Sequence, residues 1–326
     1  MPSRAGVVCA WAMVAACGGG SNPMPAGAQL GPALTAAMTA ADQARAPWRC
    51  AAADGPTLTT ETLETDKRGK ASAWKLDGRV MSRGGDGDIV IGAIADAGGA
   101  APSTIAAMGR LREKLGKADV VLALGGMGTT KAELEATLGA IADKAPIVVL
   151  PGDLENAGAL AQAVSALRAK GKVVVDGRLV RWIEIGGASI GVVPGASARG
   201  RLVADAEGCA YAGADVAALV GELTAKKGVR VLATTEAPRE VRAGEPTGEM
   251  AVTAGAGQEI DVALHGPMAE GVSRARAGAR DGNAIALTPG TLDATPRLPD
   301  PGRAPTAGLL VIRGAAWTWK PITDAP

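Results

Sequence analysis

The sequence holds a single histidine, His265, among 326 residues. One imidazole excludes any mechanism that needs two. The other groups with chemical potential are carboxylates placed just after short apolar runs: Asp96, Asp153 with Glu155, and Glu236. Carboxylates alone suit a hard cation such as Ca²⁺ or Mg²⁺; solvated loop acids are the plain alternative. The run GGMGTTK (125–131) offers backbone N–H groups to an anion. It lacks the Gly-x4-Gly-Lys-Ser/Thr spacing, however, and reads as a capped turn. Trp317 and Trp319 alternate along a strand pattern and, with Trp182, read as packing groups rather than a ligand platform.

The elements that position these groups follow from hydrophobic patterning. DIVIGAI (88–94), ADVVLAL (118–124) and PIVVL (146–150) are short apolar runs suited to buried strands. A helix is predicted over about 103–116, with Ile105, Met108, Leu111 and Leu115 on one face. Thr130 and Glu133 form a capping-box pair for the next helix, and 156–170 reads as a third, stopped by Gly171. Such alternation implies parallel pairing. KVVVD (172–176), LVRWIEI (179–185) and ASIGVV (188–193), joined by Asp-Gly and Gly-Gly, read as antiparallel hairpins. A helix at about 215–227 follows, then strands at 229–234, 260–264, 284–288, 308–313 and 317–322. The segment 33–87, with a helix at 33–45 and strands at 57–65 and 74–82, stands apart from the regular region 88–326. The fold class is α/β with mixed sheets.

Composition narrows the partners. Apolar residues make up 47 %, ample for a core, yet there is no Phe and one Tyr, so Ala, Val, Leu and Ile must fill it. Lys and Arg number 34 against 33 Asp and Glu, and they are dispersed. Nucleic-acid binders concentrate positive charge on one face, so nucleic acid is not expected as a partner.

Taken in order, the strand ends read Ala95-Asp96-Ala97-Gly98, Gly125-Gly126-Met127, Pro151-Gly152-Asp153-Leu154-Glu155, Thr234-Thr235-Glu236 and His265-Gly266-Pro267-Met268-Ala269. This succession resembles the calcineurin-like metallophosphoesterases across roughly residues 88–322. That family reads Asp-x-His, Gly-Asp, Gly-Asn-His-Asp/Glu, a lone His, then Gly-His-x-His. The resemblance implies a four-layer sandwich, two mixed β-sheets flanked by helices, and two metal ions that activate water and polarise phosphate. Asp96 matches the first aspartate. Elsewhere the ligand positions carry Gly98, Gly126, Asp153, Leu154, Thr235, Pro267 and Ala269, and most of these offer no electron pair to a metal. The expectation is therefore a degenerate member, a non-catalytic binding or scaffold module without a cofactor. The alternative is a hydrolase with one divalent cation held by Asp96, Asp153 and Glu236.

The N-terminus carries an address. Arg4 precedes an apolar stretch, Ala5 to Ala16, too short to span a bilayer and suited to a signal peptide over 1–16. Val14-Ala15-Ala16-Cys17 resembles a bacterial lipobox, which implies acylation of Cys17 and anchoring through several chains. Residues 17–32 then form a Gly/Pro tether, and Gly18 after the cysteine implies the outer membrane, facing periplasm or surface. The expected partners are thus the membrane and an envelope protein. Cys50 and Cys209 remain as an even pair in an oxidising compartment, a candidate disulfide or two buried thiols.

Overall fold

The computed structural model describes Cys50 and residues 58–67, 70–85, 87–197, 208–238, 240–242, 245–247, 252, 259–266, 276–281, 284–295 and 304–324. All belong to one compact unit, Asp42–Pro326. The signal segment, Cys17, the tether and the helix expected at 33–45 lie outside the described residues, as do Pro267 and Ala269.

The first sheet is built where the sequence is most regular. Strands β4 (Ile89–Ile94), β5 (Val120–Leu124), β6 (Ile147–Leu150) and β7 (Val174–Asp176) run parallel. Strands β16 (Thr306–Arg313) and β17 (Ala316–Thr323) extend the sheet antiparallel on the other side of β4. Strands covered on both faces need apolar side chains throughout, and every residue of β5 and β6 is buried. The crossovers are α1 (Pro102–Leu115), α2 (Lys131–Ile141) and α3 (Ala157–Ala169), which bury Met108, Leu111, Leu134, Leu138, Leu160 and Leu167 against one face. The starts of α2 and α3 are set chemically. Thr130 and Glu133 close the capping box, and Asn156 Oδ1 accepts the Ala159 N–H.

The second sheet has nine strands. Its centre is β8 (Trp182–Ile185), β9 (Ala188–Val193), β10 (Val229–Thr234), β13 (Val262–His265) and β15 (Ala284–Thr288), with β14 (Arg276–Asp281) at one edge. Strands β1 (Leu58–Lys67), β2 (Lys70–Gly78) and β3 (Val80–Arg83) complete the other side, β3 lying parallel to β8. Residues 58–83, set apart by their weaker pattern, thus belong to the same domain. Their alternation is that of strands buried on one face only: Leu63, Trp74 and Leu76 point inward while Thr62, Lys75 and Asp77 are exposed. A short hairpin of β11 (Glu240–Arg242) and β12 (Glu245–Thr247) stands separately.

One expectation is corrected. β7 does not join a hairpin with β8; it pairs parallel with β6 in the first sheet, and only β8 and β9 form the antiparallel pair. The Asp-Gly between them builds a 3₁₀ turn, Gly177–Leu179, in which Asp176 Oδ1 accepts the Arg178 N–H. A Cβ on Gly177 would lie 2.5 Å from the Val149 carbonyl oxygen, so only glycine lets the chain pass so close to β6 and cross between sheets.

The layers are therefore α1–α3, first sheet, second sheet, and α4 (Gly213–Thr224), which buries Val216, Leu219 and Leu223 on the outer face of the second sheet with Trp182. This is the four-layer α/β sandwich that the resemblance implies. Between the sheets lie Trp74, Leu76, Ile91, Leu122, Val148, Ile183, Ile190 and Val231, with Trp317 and Trp319 packed against them. With no phenylalanine available, tryptophan and close backbone approach fill the volume. The Trp319 ring lies directly over Gly308 on the neighbouring strand, where any Cβ would collide with it.

Cys50 and Cys209 form a disulfide across 159 residues of sequence, beside a Cys50 N–H to Ala210 carbonyl bond of 3.0 Å. Chain-entropy reasoning gives such a bridge about 5 kcal/mol. Replacing both cysteines by serine is expected to lower unfolding free energy by up to that amount, read as a lower urea midpoint, with a larger m-value because the unfolded chain is no longer cross-linked.

Candidate functional site

In open α/β sheets the pocket lies beyond the carboxyl ends of the parallel strands, here the loops after β4, β5, β6, β10 and β13. Asp96, two residues past β4, has φ +52°, a left-handed conformation that Asp tolerates better than most residues. It is held there from both sides. Its N–H donates to the Gly125 carbonyl, and its own carbonyl accepts from the Leu292 and Asp293 amides. The Thr291 hydroxyl lies 2.7 Å from the Asp96 carbonyl oxygen and 2.8 Å from Oδ2. The carboxylate is thus engaged by the loop following β15.

The loop after β5 sits against this backbone. Ala97 and Gly98 N–H groups donate to the Gly126 carbonyl. Gly126 has φ +76°, and a Cβ there would stand 2.7 Å from the Asp96 Cα. Position 126 is where the resemblance places a bridging aspartate, so the backbone itself excludes that side chain. The neighbouring glycines repeat the theme. A Cβ on Gly125 would fall 3.3 Å from the Gly152 Cα, and one on Gly266 would collide with the Thr235 and Leu124 carbonyls. Thr235 is buried, its hydroxyl donating to the Gly195 carbonyl at 2.6 Å.

Glu155 ties these loops together. It has no exposed surface; Oε1 accepts the Met127 N–H at 2.6 Å and Oε2 the Gly152 N–H at 2.8 Å. It is therefore not a solvated loop acid but a clamp between the ends of β5 and β6. Burial pushes its carboxyl up to about 7; the two amide donors oppose that rise, and nearby Asp153 adds to it. Asp153 and Leu154 are half-buried.

Glu236, after β10, accepts from the Tyr211 hydroxyl at 2.6 Å and the Ser197 N–H at 3.1 Å. His265 is buried at the end of β13 with Nδ1 2.7 Å from the Gly266 carbonyl oxygen. A carbonyl can only accept, so Nδ1 carries the proton. Thr291, which holds Asp96, directly follows Thr288-Pro289-Gly290, whereas Tyr211, which holds Glu236, has no motif around it in the sequence. Tyr211 is marked only by being the sole tyrosine.

A metal pair does not fit this arrangement. Gly98, Gly126 and Leu154 bring no donor atoms, the Thr235 hydroxyl is bonded to the Gly195 carbonyl, and the space above Gly126 is filled by the Asp96 backbone. Among the described residues no three His, Cys, Asp or Glu side chains converge as a cation site.

No protein-family model matches the chain, and no curated protein matches it significantly. Among solved structures the chain is similar to TT1561 of Thermus thermophilus, at 12 % identity over 73 % of this chain and 100 % of that one, with a TM-score of 0.48. It is similar to GAP50, the anchor in the inner membrane complex of Plasmodium, at 8 % identity over 73 % and 85 % with a TM-score of 0.47. A third similarity is to purple acid phosphatase PPD1 from yellow lupin seeds, at 12 % over 78 % and 54 %, TM-score 0.46.

Two outcomes follow from the site. Gly126→Asp is expected to destabilise the fold by about 3 kcal/mol or more, combining a strained φ with overpacking, and to bind no Mn²⁺ by calorimetry. Glu155 holds its proton more tightly in the folded chain than in the unfolded one. Between pH 4.5 and about 7 the folded state therefore binds more protons, and stability falls as pH rises through that window. Urea midpoints of wild type should fall from pH 5 to pH 8, and Glu155→Gln should remove that slope.

Proposed function

We propose that this chain is a lipid-anchored protein of the bacterial cell envelope whose metallophosphoesterase-like domain works as a binding or scaffold module and not as a hydrolase. The observation that carries the reading is the approach of Gly126 to the Asp96 backbone, which leaves no room for a bridging ligand where the family's chemistry needs one. The engaged states of Asp96, Glu155 and Glu236 support it further, because each carboxylate already serves loop structure. Val14 to Cys17 supports the anchor, with acylation at Cys17 and sorting to the outer membrane; the disulfide agrees with an oxidising compartment. The partner in this reading is another envelope protein, met within the reach from the membrane that the 17–32 tether allows.

Two measurements test it together. Cells fed labelled palmitate should yield a labelled protein in the membrane fraction, and Cys17→Ser should lose both label and sedimentation. The purified protein should release no nitrophenol from bis(p-nitrophenyl) phosphate with Mn²⁺ beyond the metal-only background. Turnover that Asp96→Ala abolishes would establish a hydrolase instead.

A further inference from the structure

We propose that the end of the domain opposite the strand-end loops holds a binding site for a small amphipathic anion, an aliphatic body carrying one anionic head. The site begins where the helical layer stops. α1 rests on β16 and β17 but ends at Leu115, and beyond it the helix-side face of the first sheet lies open as a groove of about 380 Å³. Its floor is apolar, formed by Val90, Leu309 and Val311. Its rim is basic, formed by Lys117, Lys320 and Arg313, with Asp88 the one carboxylate present.

The charge balance decides what would enter. Arg313 Nε bonds Asp88 Oδ2 at 2.7 Å, a pair 68 % and 54 % exposed. Such exposed pairs contribute little, so Arg313 exchanges partners readily. Among the described residues no carboxylate pairs with Lys117 or Lys320. Three cations thus face one carboxylate around an aliphatic floor, an arrangement complementary to an anionic head above a buried chain.

The groove also has depth. Arg313 and Asp88 line a second, adjoining cleft of about 790 Å³ at the mouth between the two sheets. Arg83 reaches that cleft from β3. One guanidinium nitrogen bonds buried Asp119, and the group lies 5.3 Å from the Trp74 ring centroid. The glycine pairs 84–85 and 186–187 keep the cleft mouth free of side chains. A ligand head exchanging with Asp88 at Arg313 would stand where the two openings meet. Both volumes fall within the ordinary range of small-molecule sites, roughly 300–1,000 Å³. This inference is independent of the anchor and of the absence of hydrolysis, and its failure would leave both standing.

Calorimetric titration of the purified protein with decanoate, decyl phosphate and decanol, all below their micelle concentrations, tests it. Either anion should bind while decanol does not, and the tighter of the two identifies the head as carboxylate or phosphate. Affinity should rise about two- to fourfold per methylene from the six- to the ten-carbon acid. The exposed double substitution Lys117→Glu/Lys320→Glu should weaken binding at least tenfold, with circular dichroism and melting unchanged. Absence of heat with both anions, equal binding of decanol, or full affinity in the folded double variant would each overturn the proposal.

Discussion

Everything at the carboxyl ends of the strands depends on how closely the loop backbones approach one another. Gly125 lies close against Gly152, while Gly126 meets Asp96 and Gly266 meets the carbonyls of Leu124 and Thr235 at separations that a Cβ would destroy. Close backbone approach leaves amides in a dry interior, and buried amides need acceptors. Glu155 supplies two of them, bonding the Met127 and Gly152 N–H groups with one oxygen each. The raised affinity of that carboxyl for its proton reflects the penalty of placing a charge there, lessened by the amides it serves.

The same packing governs the remaining polar groups. Asp96 adopts a left-handed backbone because two amides, the Gly125 carbonyl and a threonine hydroxyl over-determine its position. Glu236 is turned toward Tyr211 and Ser197, and His265 toward its own following carbonyl. Asp96 and Glu236 are engaged by neighbouring loops, and a further groove lies at the other end of the sheets, where, among the described residues, Lys117 and Lys320 have no acidic partner.

Between these ends the two sheets are joined by a core made without phenylalanine. Small aliphatic side chains interdigitate, and tryptophan supplies bulk where a gap is large. The consequence appears in the polar groups: the buried indole N–H groups of Trp74 and Trp319 have no acceptor, a desolvation penalty of about 1–3 kcal/mol each. Their rings offset it in packed area, Trp319 lying against Gly308 and Trp74 under the Arg83 guanidinium. Arg83 and buried Asp119 also link the second sheet to the first, the other oxygen of Asp119 accepting the Val90 N–H.

Periodicity by itself determined the parallel strands, the three helices between them and the capped start at Thr130, because each is set by residues within a turn or two of one another. The lack of side-chain donor atoms at 98, 126 and 154 was equally legible, since glycine and leucine have none whatever their surroundings. Strand partnership was not legible. The Asp176-Gly177 pair suits a hairpin, and only the nearness of Val149 makes it a crossover; residues 58–83 needed β8 beside them before their alternation acquired a buried face. Nor does spacing separate a solvated acid from a clamp. Glu155 lies three residues from Gly152 and 28 from Met127, and the second bond exists only once β5 and β6 lie side by side. Local chemistry is written in the chain, whereas burial and partnership arise when distant segments exclude water from each other.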